Sequence, residues 1–196
     1  MTFIYRIWLF FINFIFVFTV LPFFLFFCIL IPILNFFYNP GPLFFTQERL
    51  GLNGSTFTII KFRTMFIDAE KNGPQWSFIN DPRIPKLGSI LRKTRIDELP
   101  QIINIVQFKI NLIGPRAERE IMVKKILTDI PNFNERLIIK PGITGYAQIT
   151  SGYSNDIEGM RRKLSEDLYY IINRNILLDI KIIYKTIISV INLFGI

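Results

Sequence analysis

The sequence predicts an α+β protein, mostly helical, in which a proline-broken apolar helix at the N-terminus joins a mixed-charge body with a small β element. Between Arg6 and Glu48 there is no Asp, Glu, Lys or Arg, and this 41-residue gap holds thirteen of the 21 phenylalanines. The stretch STFTIIKFRTM, residues 55–65, alternates with the period of two that a strand imposes. Most of the remaining body consists of helix-like runs, SILRKT, LPQIINIVQF and AEREIMVKKIL among them, separated by proline and glycine. The simplest division is a membrane helix over residues 1–39 and one domain over 40–196.

The run from Ile7 to Leu34 is too long for the core of a secretory signal and ends in bulky residues, and Leu25, Phe26 and Phe27 before Cys28 are too bulky for a lipoprotein signal. As a helix it reaches about 42 Å, more than the roughly 30 Å of a hydrocarbon core. Pro22 lies near its centre, where it removes a backbone hydrogen bond and clashes with the preceding turn. A kink is expected, and freed carbonyls at membrane depth need partners such as Thr19 or a packed protein surface. Physics leaves a spanning helix and a re-entrant helix-break-helix equally open.

From Glu48 onward the chain carries 22 Lys or Arg against 15 Asp or Glu. A basic domain beside a membrane segment faces the cytoplasm, where it also meets anionic lipid heads. No zinc-finger spacing, RNA-binding motif or long Lys/Arg tract is present, so no nucleic-acid partner is expected. With no histidine there is no Ser-His-Asp triad, and a single cysteine excludes an internal disulfide or a cysteine-built metal site. Carboxylates, lysines, arginines and hydroxyls must carry the chemistry.

In strand geometry Phe57, Ile59, Lys61, Arg63 and Met65 share a face, so two cations point the same way. That face is either solvent-exposed or a phosphate-binding pair. A turn-rich connection, FIDAEKNGPQWSFINDPRIPKLG, follows. Within RKTRIDELPQIIN, Asp97 and Glu98 stand at a predicted helix start, where Thr94 and Asp97 fit a capping box and Pro100 fits a first turn. A cap and a catalytic centre are compatible, because a helix start binds anions and keeps a nearby carboxylate ionised. Arg92, Lys93 and Arg95 supply more cations than a cap requires. Arg116 follows Gly-Pro just before another predicted helix, a position suited to a phosphate oxygen. KPGITGYAQIT is a glycine-punctuated loop or strand headed by Lys140, and the C-terminal NILLDIKIIYKTIISVINLF is an amphipathic packing or membrane-surface helix.

Taken in order, GPLFFTQERLG, IIKFRTM, NDPRIPKLGSILRKTRIDELPQIINI, LIGPR, KPGITGYAQI and LSEDLYYIINRNILLDIKIIYKTI resemble the small monotopic phosphoglycosyl transferases, bacterial enzymes that load a hexose 1-phosphate onto polyprenol phosphate. The resemblance implies that Asp97 is the nucleophile that attacks a nucleoside diphosphate sugar and that Glu98 contacts magnesium, Mg2+. It implies that Lys61, Arg92 and Arg116 hold phosphates, with Arg63 beside Lys61 on the strand face. It further implies a re-entrant helix broken at Pro22, a catalytic domain on the cytoplasmic face of the bacterial inner membrane, and amphipathic interfacial helices. The expected partners are a nucleotide sugar, polyprenol phosphate and membrane lipid, with a UDP-hexose or UDP-N-acetylhexosamine as donor and UMP as product. No oligomeric state is implied. A membrane-tethered scaffold and a magnesium-dependent lipid diphosphate hydrolase are the competing readings.

The chain departs from the family pattern at several points. Leu21 precedes Pro22 where the family commonly has serine, Ala117 follows Arg116 where it has proline, Lys140 replaces a frequent arginine, and Arg95 replaces a frequent small residue.

Overall fold

The computed structural model describes residues 2–71, 73–78, 80–151 and 156–192. The connection after the second strand therefore has two positions, 72 and 79, outside the described residues. Among the described residues the fold is mostly helical, with two small sheets and one long apolar helix. Helix α1 (Phe3–Tyr38) starts at Thr2, whose hydroxyl accepts from the Tyr5 amide, and runs through Pro22 and Pro32 as one helical element. The break expected at Pro22 is thus not an interruption of the helix.

One stripe of α1 packs along the body. Tyr5, Trp8, Ile12, Phe16, Phe24 and Ile31 recur every three to eight residues, a helical spacing; Tyr5 is buried and the other five enter successive core clusters. Outside that stripe α1 exposes large apolar side chains, Phe10, Phe14, Phe18, Phe26, Ile29 and Ile33 included. Both ends of α1 reach the body: the Tyr5 hydroxyl lies 3.3 Å from that of Tyr170, and Asn39, just past the helix, donates to Met65 O at 3.3 Å.

Strands β1 (Phe44–Leu50) and β2 (Thr56–Phe62) form an antiparallel hairpin in which Phe45 faces Lys61, Gln47 faces Ile59 and Arg49 faces Phe57. Helix α2 (Lys86–Lys93) leads into a 3-10 turn at Ile96–Gln101, then α3 (Ile102–Val106) and β3 (Asn111–Ile113). Helix α4 (Glu120–Ile126) is followed by β4 (Gly142–Thr144), parallel to β3. Helices α5 (Tyr146–Thr150), α6 (Ile157–Asn173) and α7 (Ile176–Ile191) complete the fold.

Two-stranded sheets leave open edges that need partners, and here two asparagines supply them. Asn104 of α3 accepts from Ile60 N at 3.1 Å and donates to Thr58 O at 2.8 Å, closing one edge of β2. Asn13 of α1 accepts from Leu112 N at 2.7 Å and donates to Asn111 Oδ1 at 3.0 Å, so a polar residue inside the apolar helix docks it on β3. Helix α7 keeps Asp179 and Ile182 buried and presents Leu177, Tyr184, Ile187 and Ile191 outward. This is the two-faced pattern expected of it.

The structure corrects three local expectations. Strand β2 ends at Phe62, so Arg63 does not share the face of Lys61. Thr94 caps no helix start: its hydroxyl donates to Ile90 O at 2.8 Å and closes the C-terminal end of α2. Asp97 lies within a 3-10 turn instead of capping an α-helix, because Arg95 takes a left-handed conformation (φ 59°) that breaks the chain direction between the two elements.

Candidate active site

The 3-10 turn brings two adjacent carboxylates into the interior, each only 7% exposed. Lys61 Nζ donates to Glu98 Oε1 at 2.5 Å from β2, and Arg116 Nη2 donates to the same oxygen at 3.1 Å from the loop after β3. Asp97 Oδ1 is buried without a hydrogen-bond partner among the described residues. A buried unsatisfied carboxylate oxygen is costly and marks a position with a reason to exist beyond packing.

Burial pushes the Asp97 carboxyl up to about 6, with the neighbouring Glu98 charge in the same direction and Lys61, Arg92 and Arg95 pulling it back. For Glu98 burial also acts upward, but Lys61, Arg116 and Arg95 outweigh it and hold its pKa below the usual carboxylate range. The pair is therefore unlike: Glu98 is a firmly ionised hub for cations, while Asp97 is an anion held in a poorly solvated place.

Arg92 reaches the same region from α2. Its Nε donates to Thr64 Oγ1 at 2.9 Å and its Nη1 to Ser77 Oγ at 3.1 Å. Helix α2 sits this close to the hairpin because Gly88 faces the chain at Thr64; a Cβ there would meet Thr64 O at 2.0 Å. A similar contact fixes Arg116. At Gly142 a Cβ would lie 2.1 Å from Gly114 N, so only glycine lets the Gly114-Pro115-Arg116 turn cross β4 at backbone contact. These two glycines are thus what allow α2 and the turn after β3 to bring Arg92 and Arg116 toward the dyad.

Lys61, Arg116 and Glu98 are in direct contact, and Arg92 and Arg95 act on Asp97 through their charge. Arg63 is elsewhere. Its guanidinium is buried at the exit of α1, donating to Pro42 O (2.8 Å), Asn39 Oδ1 (2.7 Å), Asn39 O (2.5 Å) and Met65 O (3.0 Å). All three groups of its fork are committed, so it is a structural clamp and not a phosphate ligand. Arg116 precedes α4 by four positions and is placed by the turn instead of by that helix's start, whose cap is Arg119. Lys140 lies 5.6 Å over the Phe108 ring. Thr64 and Ser77 are not legible from sequence; neither a hydroxyl in a strand exit nor one in a long loop carries a signal before folding.

Among the described residues no cluster of three or more His, Cys, Asp or Glu side chains could hold a metal. The dyad alone still suits magnesium, which is commonly bound through one or two carboxylates together with substrate phosphates and waters. Glu98, held ionised by its cations, is a carboxylate donor of that kind.

The sequence pattern that defines bacterial sugar transferases matches residues 4–193. The chain belongs to the bacterial sugar transferase family. Within this family it is 41% identical over 157 residues to the UDP-N-acetylgalactosamine-undecaprenyl-phosphate N-acetylgalactosaminephosphotransferase of Aeromonas hydrophila, across 80% of this chain and 37% of that one. It is 36% identical over 157 residues to the exopolysaccharide production protein PSS of Rhizobium leguminosarum bv. phaseoli, across 77% and 78% of the two chains. It is 36% identical over 151 residues to the UDP-glucose:undecaprenyl-phosphate glucose-1-phosphate transferase of Escherichia coli (strain K12), across 76% and 32%. The chain thus spans about a third of the length of the Aeromonas and Escherichia relatives.

Proposed function

We propose that this bacterial sugar transferase moves a sugar 1-phosphate from a nucleoside diphosphate sugar to a membrane polyprenol phosphate, through a covalent intermediate on Asp97. The observation that carries the reading is the unpartnered, buried Asp97 oxygen beside Glu98, surrounded by cations from β2, α2 and the Gly-Pro-Arg turn. Relatives across most of this chain act, by name, on UDP-sugars and undecaprenyl phosphate. The donor is taken to be a UDP-hexose or UDP-N-acetylhexosamine.

In the first step a carboxylate oxygen of Asp97 bonds to the sugar-bearing phosphorus, and the bond from that phosphorus to the bridging oxygen breaks, releasing UMP. In the second, an oxygen of polyprenol phosphate bonds to the same phosphorus and Asp97 leaves, regenerating the carboxylate. Two anions must meet in each step, which is why fixed cations are needed: preorganised charges in a poorly solvated site stabilise developing negative charge without reorganising. Lys61 and Arg116 hold Glu98 and face the phosphates; Arg92 approaches from the other side. Magnesium, when bound at Glu98 and the donor's phosphates, would neutralise phosphate charge. A covalent intermediate lets a soluble donor and a lipid acceptor use one site in turn.

We also read α1 as re-entrant, with the body on the cytoplasmic side of the bacterial inner membrane. The reading is supported by Tyr5 and Asn39, which bond to the body at opposite ends of the helix. The outward face of α1 carries Phe10, Phe14, Phe18, Phe26, Ile29 and Ile33 and belongs in lipid.

The test is membrane-embedded protein with radiolabelled UDP-sugars and polyprenol phosphate. UMP release that depends on polyprenol phosphate, a trapped phosphosugar adduct on residue 97, and loss of turnover on chelation with recovery on adding Mg2+ are expected. Full turnover by Asp97→Asn, or in excess chelator, would overturn the nucleophile or the metal contact respectively.

A further inference from the structure

The mechanism leaves one group of half-buried charges without a task. Arg49 lies on the face of the hairpin that carries Lys61, since Arg49 is opposite Phe57 and Phe45 is opposite Lys61. Its Nη2 donates to Gln47 Oε1 at 2.6 Å, fixing the side chain along the strand, and its Nη1 donates to Ala117 O at 3.2 Å. The same Nη1 lies 3.9 Å from Glu118 Oε2. Glu118 is tied to β1 by its backbone as well, because Leu50 N donates to Glu118 O at 2.9 Å, and Lys163 of α6 donates to Glu118 Oε1. Both residues that follow Arg116 are therefore fastened to β1, one through Arg49 alone and the other through side chain and main chain. Arg49 also lines a small void together with Lys61, Gln101, Arg116 and Gly142.

We infer that Arg49 and Glu118 are positioning residues: they hold the Gly114-Pro115-Arg116 turn against β1, and so fix the Arg116 guanidinium where it meets Glu98 and the donor's phosphates. This rests on the phosphate-binding role proposed for Arg116. Ala117 has no ring to stiffen the turn after Arg116, and the Arg49 hydrogen bond to its carbonyl supplies that restraint. Glu118 can do this at any ordinary pH. Burial acts to raise its pKa, but Lys163, Arg136 and Arg49 bring it down to about 2.

The deciding experiment is a double-mutant cycle on the full chain in membranes, with Arg49→Lys and Arg116→Ala singly and together. Arg49→Lys keeps the charge but cannot serve Gln47 and Ala117 from one fork. Expected is a rise in the KM for UDP-sugar of about tenfold to a hundredfold with Arg49→Lys, and no further rise when it is added to Arg116→Ala. Stiffening the turn by Ala117→Pro should recover part of the loss. Equal losses in both backgrounds, or an unchanged KM, overturn the inference. Arg116→Ala with an unchanged KM overturns the phosphate role of Arg116 instead, so the two failures are told apart. If Arg49→Lys does not fold, Glu118→Gln goes through the same cycle, and misfolding of both assigns the pair to the scaffold and overturns the proposal.

Discussion

Two buried carboxylate centres in this fold have opposite characters. Asp179 of α7 is fully buried and accepts from Trp8 Nε1 and from the Tyr170 hydroxyl, both at 2.9 Å, with the Tyr5 hydroxyl behind Tyr170. The Asp97–Glu98 pair is as sheltered, but its partners are cations, and one Asp97 oxygen has no partner at all among the described residues. Burial raises the pKa of Asp179 and of Asp97 alike. What separates them is the kind of donor. Neutral donors occupy both oxygens of Asp179, one each, so that carboxylate pins the start of α1 to α6 and α7. At the dyad, cations create a site for further anions, and the orphaned oxygen is the one that can form a bond.

The same isosteric change should therefore have very different effects at the two centres. The largest is Asp97→Asn, for which turnover is expected to fall by a factor on the order of a thousand or more, as for loss of a covalent nucleophile. Thermal stability should hold or rise, since the variant removes a buried charge with an unsatisfied oxygen. Measuring rate and melting temperature on one preparation checks both. A folded Asp97→Asn chain with normal turnover would show that the orphaned oxygen has no chemical role.

Arg63 and Arg116 extend the contrast to cations. Arg63→Ala removes the donors that satisfy three backbone carbonyls where α1 leaves the body. Buried partners left unsatisfied in this way cost about 2–4 kcal/mol, so the expected result is a marked loss of stability with the KM for UDP-sugar unchanged in the protein that remains folded. A raised KM at unchanged melting temperature would return Arg63 to the phosphate site. A related check concerns α1 itself. Cysteines placed at residues 2 and 40 should both react with an impermeant thiol reagent from the cytoplasmic side of inverted vesicles, and labelling from opposite sides would establish a spanning helix.

These contrasts show where the sequence was legible. The residue types were, because a histidine-free chain leaves carboxylates and cations, and the structure brings Asp97, Glu98, Lys61 and Arg116 together with Arg92 acting on Asp97 through its charge. The long apolar helix and the hairpin strand were equally plain from charge and alternation. Arg63 was misplaced because strand periodicity holds only as far as the strand, and β2 stops one residue earlier. The 3-10 form of the dyad turn was hidden because it depends on Arg95 adopting a left-handed backbone, a conformation that costs an ordinary residue about 1 kcal/mol or more and is set by packing. Asp179, Glu118 and Arg49 gave no signal, since their partners lie far away along the chain: Trp8 and Asp179 are separated by 171 positions.

The smallest effect belongs to Asp179→Asn. The new side chain keeps one oxygen to accept from Trp8, and its amide can donate to the Tyr170 hydroxyl, which turns to donate to Tyr5 in place of Asp179. The Tyr5 hydroxyl then loses Tyr170 as its acceptor, which offsets part of what removal of the buried charge gains, so the change at neutral pH is expected to lie within about 1 kcal/mol, in the stabilising direction. The sign follows from linkage. Burial raises the Asp179 pKa in the folded state, so folding binds a proton there and the wild type loses stability as pH rises through that window. The asparagine amide never carries the charge. The variant's advantage in melting temperature should be present at neutral pH and shrink on acidification, as the wild-type carboxyl takes up its proton. Asp179→Ala, which abandons both donors, should lose stability at every pH, and equal behaviour of the two variants would mean that the carboxylate does not join α1 to the body.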